Sequence, residues 1–95
     1  MAKLNVIQFV TISSTSDASD WGDLTIARNG LGRVNGDGRI AWGGGTTGSN
    51  SDVIDYISTA LGSGNASDFG DLSASRRNVC GCGNTTRGVF MGGCT

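Results

Sequence analysis

Histidine, glutamate and proline are absent from this chain of 95 residues, and lysine occurs once, at Lys3. The lack of histidine removes the usual proton shuttle of neutral pH, any zinc site that needs imidazole, and every Ser-His or Cys-His nucleophile pair. Most hydrolase mechanisms go with it. The lack of glutamate, with lysine nearly absent, leaves few of the charged residues that favour helices. Charge itself is sparse: 16% of residues are charged, against about 25% in an average domain, and the net charge is −1. Such a balance gives no broad attraction to nucleic acid or to an anionic membrane, and neither partner is expected. Long apolar runs are missing too. Asn5 and Gln8 interrupt the run from Leu4 to Val10 before it reaches a secretory core, and no stretch approaches the roughly 18 apolar residues of a membrane span. Met1 therefore reads as the start of a mature chain.

Glycine, serine, threonine, asparagine and aspartate fill 52 of the 95 positions, a composition of strands and turns within one small domain. The three cysteines, Cys80, Cys82 and Cys94, are odd in number and crowded at one end. With no histidine they fall short of the four ligands of a structural zinc site unless several chains pool them. They read first as small, semi-buried thiols in a reducing setting, and second as a bridge from Cys94 to Cys80 or Cys82.

The chain repeats itself. Ala18-Ser19-Asp20-Trp21-Gly22-Asp23-Leu24-Thr25 returns 48 positions later as Ala66-Ser67-Asp68-Phe69-Gly70-Asp71-Leu72-Ser73. The register then holds without a gap: Arg28 aligns with Arg76, Arg39 with Arg87, Trp42 with Phe90, and Gly44-Gly45 with Gly92-Gly93. Upstream, Val6-Ile7-Gln8-Phe9-Val10-Thr11 matches Val53-Ile54-Asp55-Tyr56-Ile57-Ser58 at a spacing of 47. One repeat spans about residues 1–47 and the other about 48–95. The step from Gly45 to Val53 is 8 residues, and so is the step from Gly93 through Thr95 into Val6 of a second copy. The end of one copy thus leads into the start of another in the internal register.

Periodicity and turn residues predict eight strands, at about 5–12, 21–27, 30–34, 39–43, 53–59, 69–74, 78–82 and 87–91, four per repeat. Asn35-Gly36-Asp37-Gly38 and Gly83-Asn84-Thr85-Thr86 read as hairpin connections. Residues 51–62 carry competing helix signals: an Asp near the start, apolar residues at 53, 54, 57, 60 and 61, and a terminal Gly62. Their repeat partner, Val6 to Ser13, is β-branched and aromatic with no helical stop, so both segments are expected to be strands.

Several of these words resemble the kelch repeat, whose propeller blades have four strands in about 50 residues. They are Arg39-Ile40-Ala41-Trp42-Gly43-Gly44-Gly45, then Val53-Ile54-Asp55-Tyr56, then Asp68-Phe69-Gly70-Asp71-Leu72 followed by Arg76. Trp21-Gly22-Asp23-Leu24 with Arg28 opens the chain, and Arg87-Gly88-Val89-Phe90-Met91-Gly92-Gly93 closes it. The Asp-aromatic-Gly-Asp-Leu phrase with its following Arg is also similar to kelch-type repeats in structural proteins of marine phages. Phe9 stands where kelch has Tyr, and Gly88 replaces the Ile of the first copy.

The resemblance implies an all-β fold of two four-stranded kelch-like blades per chain. In that order residues 30–74 build one complete blade, and the strands at 78–91 and 5–27 make a second only by meeting across chains. Two blades cannot close a propeller, which takes about four to eight. The expected partner is therefore the chain itself, in a head-to-tail homo-oligomeric β-propeller, with six blades from a trimer favoured. The implied location is cytoplasmic or virion-associated.

Candidate structural and interface residues follow from the repeat: Trp21, Arg28, Arg39, Trp42, Tyr56, Phe69, Arg76, Arg87 and Phe90. The recurring aromatics suit buried packing between blades, or, if exposed, a platform for sugars. The recurring arginines suit tying strand ends to carbonyls or Asp carboxylates, or an anion or glycan site around the ring axis. Asp17, Asp20, Asp23, Asp68 and Asp71 read as turn caps, since their spacing is not that of a calcium loop. Gly43-Gly44-Gly45 lacks the Lys and helix of a phosphate cradle. Tyr56 is the one tyrosine, and neither a paired-carboxylate nor a copper-radical centre can be assembled. The expectation is a non-enzymatic structural or protein-interaction module without catalytic residues, metal or cofactor. The alternative is a multivalent, lectin-like glycan binder using loops such as Ser14–Asp17 and Thr46–Asn50.

Overall fold

The computed structural model describes residues 3–95; the reading of Met1 as a mature start lies outside them. Among the described residues the chain is all-β, with eight strands in three antiparallel sheets and no α-helix. The strands are β1 (Val6–Phe9), β2 (Ser19–Asp23), β3 (Gly32–Gly36), β4 (Arg39–Gly43), β5 (Val53–Ser58), β6 (Ser67–Asp71), β7 (Cys80–Gly83) and β8 (Gly88–Met91). β3-β4-β5-β6 form one four-stranded meander, while β1-β2 and β7-β8 are separate two-stranded hairpins.

The turn chemistry fixes the meander. Gly36 pairs with Arg39, leaving Asp37 and Gly38 as a two-residue loop with φ of 53° and 73°. Positive φ at both central residues is the type I′ geometry, whose twist matches that of the flanking strands. At the other hairpin, Asn84 Oδ1 accepts from the Thr86 and Arg87 N–H groups at 2.8 and 2.9 Å and closes a longer loop. The helix signals at 51–62 resolve as strand β5 followed by one 3-10 turn, Thr59–Leu61, ended by Gly62 in the left-handed region. As a strand, β5 buries both Ile54 and Ile57. A lone helix of that length would have no packed stripe to sustain it.

The observed boundaries differ from expectation chiefly at β2 and β6, which start two residues early and end at Asp23 and Asp71. Leu24 and Leu72 leave the strands, and their N–H groups donate to the carbonyls of Asn5 and Asp52, both at 2.7 Å. Turning the chain there drops Leu24 into the core.

The spacing that relates the two halves of the sequence also relates their hydrogen bonds. The reciprocal pair Asn29–Thr46 recurs as Arg77–Cys94. Gly30 and Asn78, at equivalent places, share φ of 68° and 57°. Gly44 and Gly45 have φ of 74° and 95°, matched by 70° and 93° at Gly92 and Gly93. Gly44 is confined as well as left-handed, since a Cβ there would stand 2.7 Å from the Arg76 carbonyl oxygen.

The core lies between sheets rather than inside one. Ile7 of β1, Leu24 and Ile57 of β5 form its centre, with Trp21, Leu31, Ile40, Trp42 and Ala66 packed around them. This seals the β1-β2 hairpin against one face of the meander. The β7-β8 hairpin lies beside β3 on the opposite side. There Val34 and Val79 are buried, and Gly43 provides the floor under the Phe90 ring. No helix of the described residues is long and apolar enough to cross a membrane.

Candidate functional site

A buried clasp joins the N-terminal hairpin to the meander. Arg28 follows β2, and its Nη1 donates to Asp55 Oδ2 at 3.0 Å, with both side chains fully excluded from solvent. Its Nη2 donates to the Trp42 carbonyl at 3.2 Å. Thr25 holds the same carboxylate from the other side, through its N–H to Oδ2 at 3.1 Å and its hydroxyl to Oδ1 at 2.7 Å. Asp55 stands on β5 opposite Trp42 of β4, at the step where β6 on its other side bulges by one residue, Phe69. Arg28 is thus one of the arginines expected to tie strands together, and it does so with a carboxylate and a carbonyl. Asp55 and Thr25 were not singled out by the sequence. The available signal was one charged residue in the apolar run Val53-Ile54-Asp55-Tyr56-Ile57.

The other candidates separate into distinct settings. Trp21 and Trp42 share the core around Ile7 and Ile57. Trp21 meets Phe9 edge-on, ring centres 5.4 Å apart at 84°, and Tyr56 meets Phe69 in the same way at 5.6 Å and 82°. Phe69 departs from the expectation of burial: it is 58% exposed, and it is the unpaired extra residue of the edge strand β6. Among the described residues the Arg39 side chain ties no carboxylate or carbonyl. Its guanidinium lies 5.1 Å from the Tyr56 ring centre, a cation–π contact made possible by the neighbouring strands β4 and β5. Arg87 is exposed and donates no side-chain hydrogen bond among the described residues. Arg76 is half-buried and likewise donates none, although its Nε is shielded from solvent.

The cysteines are free and exposed rather than semi-buried, and none is bridged. Among the described residues no three His, Cys, Asp or Glu side chains converge as a metal site would require. Two clefts of about 200 Å³ open between the sheets. One, between the meander and β7-β8, is lined by Val34, Ala41, Ile54, Phe69 and Phe90. The other is more polar and includes Trp21, Arg39, Tyr56, Ser63 and Asn65.

Among the described residues every strand but β4 and β5 has one unpaired edge, and β1 and β8 each carry two exposed large apolar side chains there. Among the described residues β1 pairs only with β2, and β8 only with β7. The free strands bear apolar side chains in the open: Val6 and Phe9 on β1, Val89 and Met91 on β8, with Val10 and Ile12 just beyond β1. Bare, apolar strand edges are templates for pairing with another chain. In comparison with known proteins, no family model matches the chain and no curated protein matches it in sequence.

Proposed function

We propose that the protein is a non-enzymatic structural and interaction module whose copies join head to tail, closing a ring-shaped kelch-like β-propeller. The observation that carries this reading is that the two hairpins are the separate halves of the sheet the chain builds once in full. β7-β8 stands at the repeat spacing from β3-β4, and β1-β2 from β5-β6. The free edge of β8 therefore calls for β1 of a second copy, as β4 takes β5.

The β4–β5 register supplies the template. Ala41 faces Tyr56, Trp42 faces Asp55 and Gly43 faces Ile54. Shifted by the repeat, Val89 faces Phe9, Phe90 faces Gln8 and Met91 faces Ile7 of the neighbouring copy. Such pairing covers both apolar edges and satisfies their backbone groups. Each copy contributes two sheets' worth of strands, so three copies give six sheets, a number within the range that closes a propeller. The ring then presents its turns as a rigid set of loops.

Light scattering on the purified chain tests the reading. A particle of three times the 9.7 kDa chain mass is expected. A folded particle of 9.7 kDa at all concentrations refutes self-association.

A second reading, multivalent glycan binding, draws support from the cleft that gathers Trp21 and Tyr56 with Arg39 and Asn65, and from the exposed loop residues Ser14–Asp17. It predicts retention on a glycan array that weakens when Trp21 or Tyr56 is replaced. An array without any binder at high protein concentration excludes it.

A further inference from the structure

The clasp at Arg28 has a half-built counterpart. Arg76 follows β6 as Arg28 follows β2, and their backbones are held alike: the Arg28 N–H donates to the Leu4 carbonyl at 3.3 Å, the Arg76 N–H to the Ser51 carbonyl at 3.2 Å. Ser73 stands where Thr25 does, with a hydroxyl at the same place. The side chains diverge. Arg28 commits Nη1 to Asp55 and Nη2 to the Trp42 carbonyl, whereas no side-chain nitrogen of Arg76 donates among the described residues; the Nε of both is buried without a partner. A half-buried guanidinium with a shielded N–H and no acceptor is unfavourable. The acceptor it lacks is the residue at the position of Asp55, on the strand that would pair with β8.

That strand is β1, and it is shaped for the purpose. β6 carries an extra residue, Phe69, opposite the Ile54–Asp55 step of β5, and β2 carries Trp21 opposite the Ile7–Gln8 step of β1, the same places in the repeat. Gln8 therefore occupies on β1 the place that Asp55 occupies on β5, opposite the same bulge. Gln8 is exposed and makes no side-chain hydrogen bond among the described residues.

We propose that Arg76 and Ser73 of one copy receive Gln8 of a second copy, whose amide oxygen accepts from the guanidinium and the hydroxyl. This joint rests on the head-to-tail reading and gives it a specific chemistry. The joint inside each chain is a buried ion pair. The joint between copies is the neutral version, because glutamine offers a carbonyl oxygen without the balancing charge. The copy-to-copy contact is thus the looser of the two, and Gln8→Asp would convert it into a second clasp.

A dilution series of the full chain, followed by sedimentation velocity, tests this. Gln8→Asp is expected to lower the concentration of half-dissociation about tenfold per joint, and Gln8→Ala to raise it by a similar factor, as charged and neutral acceptors differ by roughly that much. Both effects should vanish in an Arg76→Ala background. Should that background fail to fold, Arg76→Lys, which keeps the charge but loses the planar fork, replaces it. Gln8 pairs with Asp20 through the backbone and its side chain makes no hydrogen bond among the described residues, so the variants should keep the circular dichroism of the parent. If copies assemble but the two Gln8 variants stay within twofold of the parent, or act equally with and without Arg76, the joint is refuted while the ring stands. If the parent chain is monomeric at every concentration, the ring falls and the joint with it.

Discussion

Replacing Asp55 by alanine should be among the most damaging single changes to this protein. The carboxylate receives three hydrogen bonds, two from Thr25 and one from Arg28, and it is the counter-charge of a guanidinium with no exposed side-chain surface. Truncating it leaves that cation buried and unpaired. Breaking a buried pair from one side costs about 3–5 kcal/mol. A domain of this size has about 5–15 kcal/mol in total, so the loss is a large part of its stability. With a urea slope of about 1.5 kcal/mol/M, the midpoint should fall by roughly 2–3 M. Asp55→Asn keeps the shape and one acceptor oxygen and should lie between the parent and the alanine variant. The double change Arg28→Met with Asp55→Leu removes both charges together and should recover much of the loss, because the desolvation cost of the pair disappears with its attraction. Urea titration followed by tryptophan fluorescence reads all four proteins, at one fixed protein concentration so that assembly does not confound the comparison. A loss below about 1 kcal/mol for Asp55→Ala would refute the reasoning, since exposed ion pairs contribute only that much and the clasp would have to lie in water.

Further outcomes follow from other parts of the fold. Gly44→Ala forces a side chain onto φ of 74° and a Cβ to within 2.7 Å of the Arg76 carbonyl oxygen, and should cost about 1–3 kcal/mol, a drop of several degrees in a thermal melt. An unchanged melting temperature would mean that this glycine pair does not pin the two halves together. Asp37→Gly should be tolerated within about 1 kcal/mol in the same melt, because the type I′ turn needs positive φ there, whereas Asp37→Val should be clearly worse. Val89→Lys places a charge on the free edge of β8 and should leave the chain folded by circular dichroism while reducing the scattering mass to that of one copy. A full-size assembly with Lys at 89 would show that β8 is not the joining edge.

The internal repeat made the strands legible, because two weak copies of each segment vote on one conformation. Val53–Ser58 shows this best: read alone, its apolar spacing and terminal Gly62 suit a helix, yet its partner Val6–Phe9 could not be one, and strand is what forms. The helical tendency survives as the single 3-10 turn Thr59–Leu61. The hairpin at Asp37-Gly38 was legible for a local reason, since few residues accept its backbone angles. Arginine roles were only half legible. Arg28 and Arg39 look alike in sequence, but which of them finds a carboxylate depends on where β5 brings Asp55, 27 residues away from Arg28, a tertiary fact with no local signature. Exposure of the cysteines and of Phe69 escaped for the converse reason: small and aromatic residues usually pack inside, whereas Phe69, Cys80 and Cys82 lie on edge strands.

The central claim is that the C-terminal hairpin of one copy pairs with the N-terminal hairpin of another. Mixing isotope-labelled with unlabelled chains, unfolding and refolding them together, and recording nuclear Overhauser effects filtered for label-to-unlabel contacts tests it directly. Contacts between Val89 and Phe9, and between Met91 and Ile7, are expected across copies and not within one. Spectra in which these pairs show no contact between copies, while the protein is folded at the concentration used, would contradict the account.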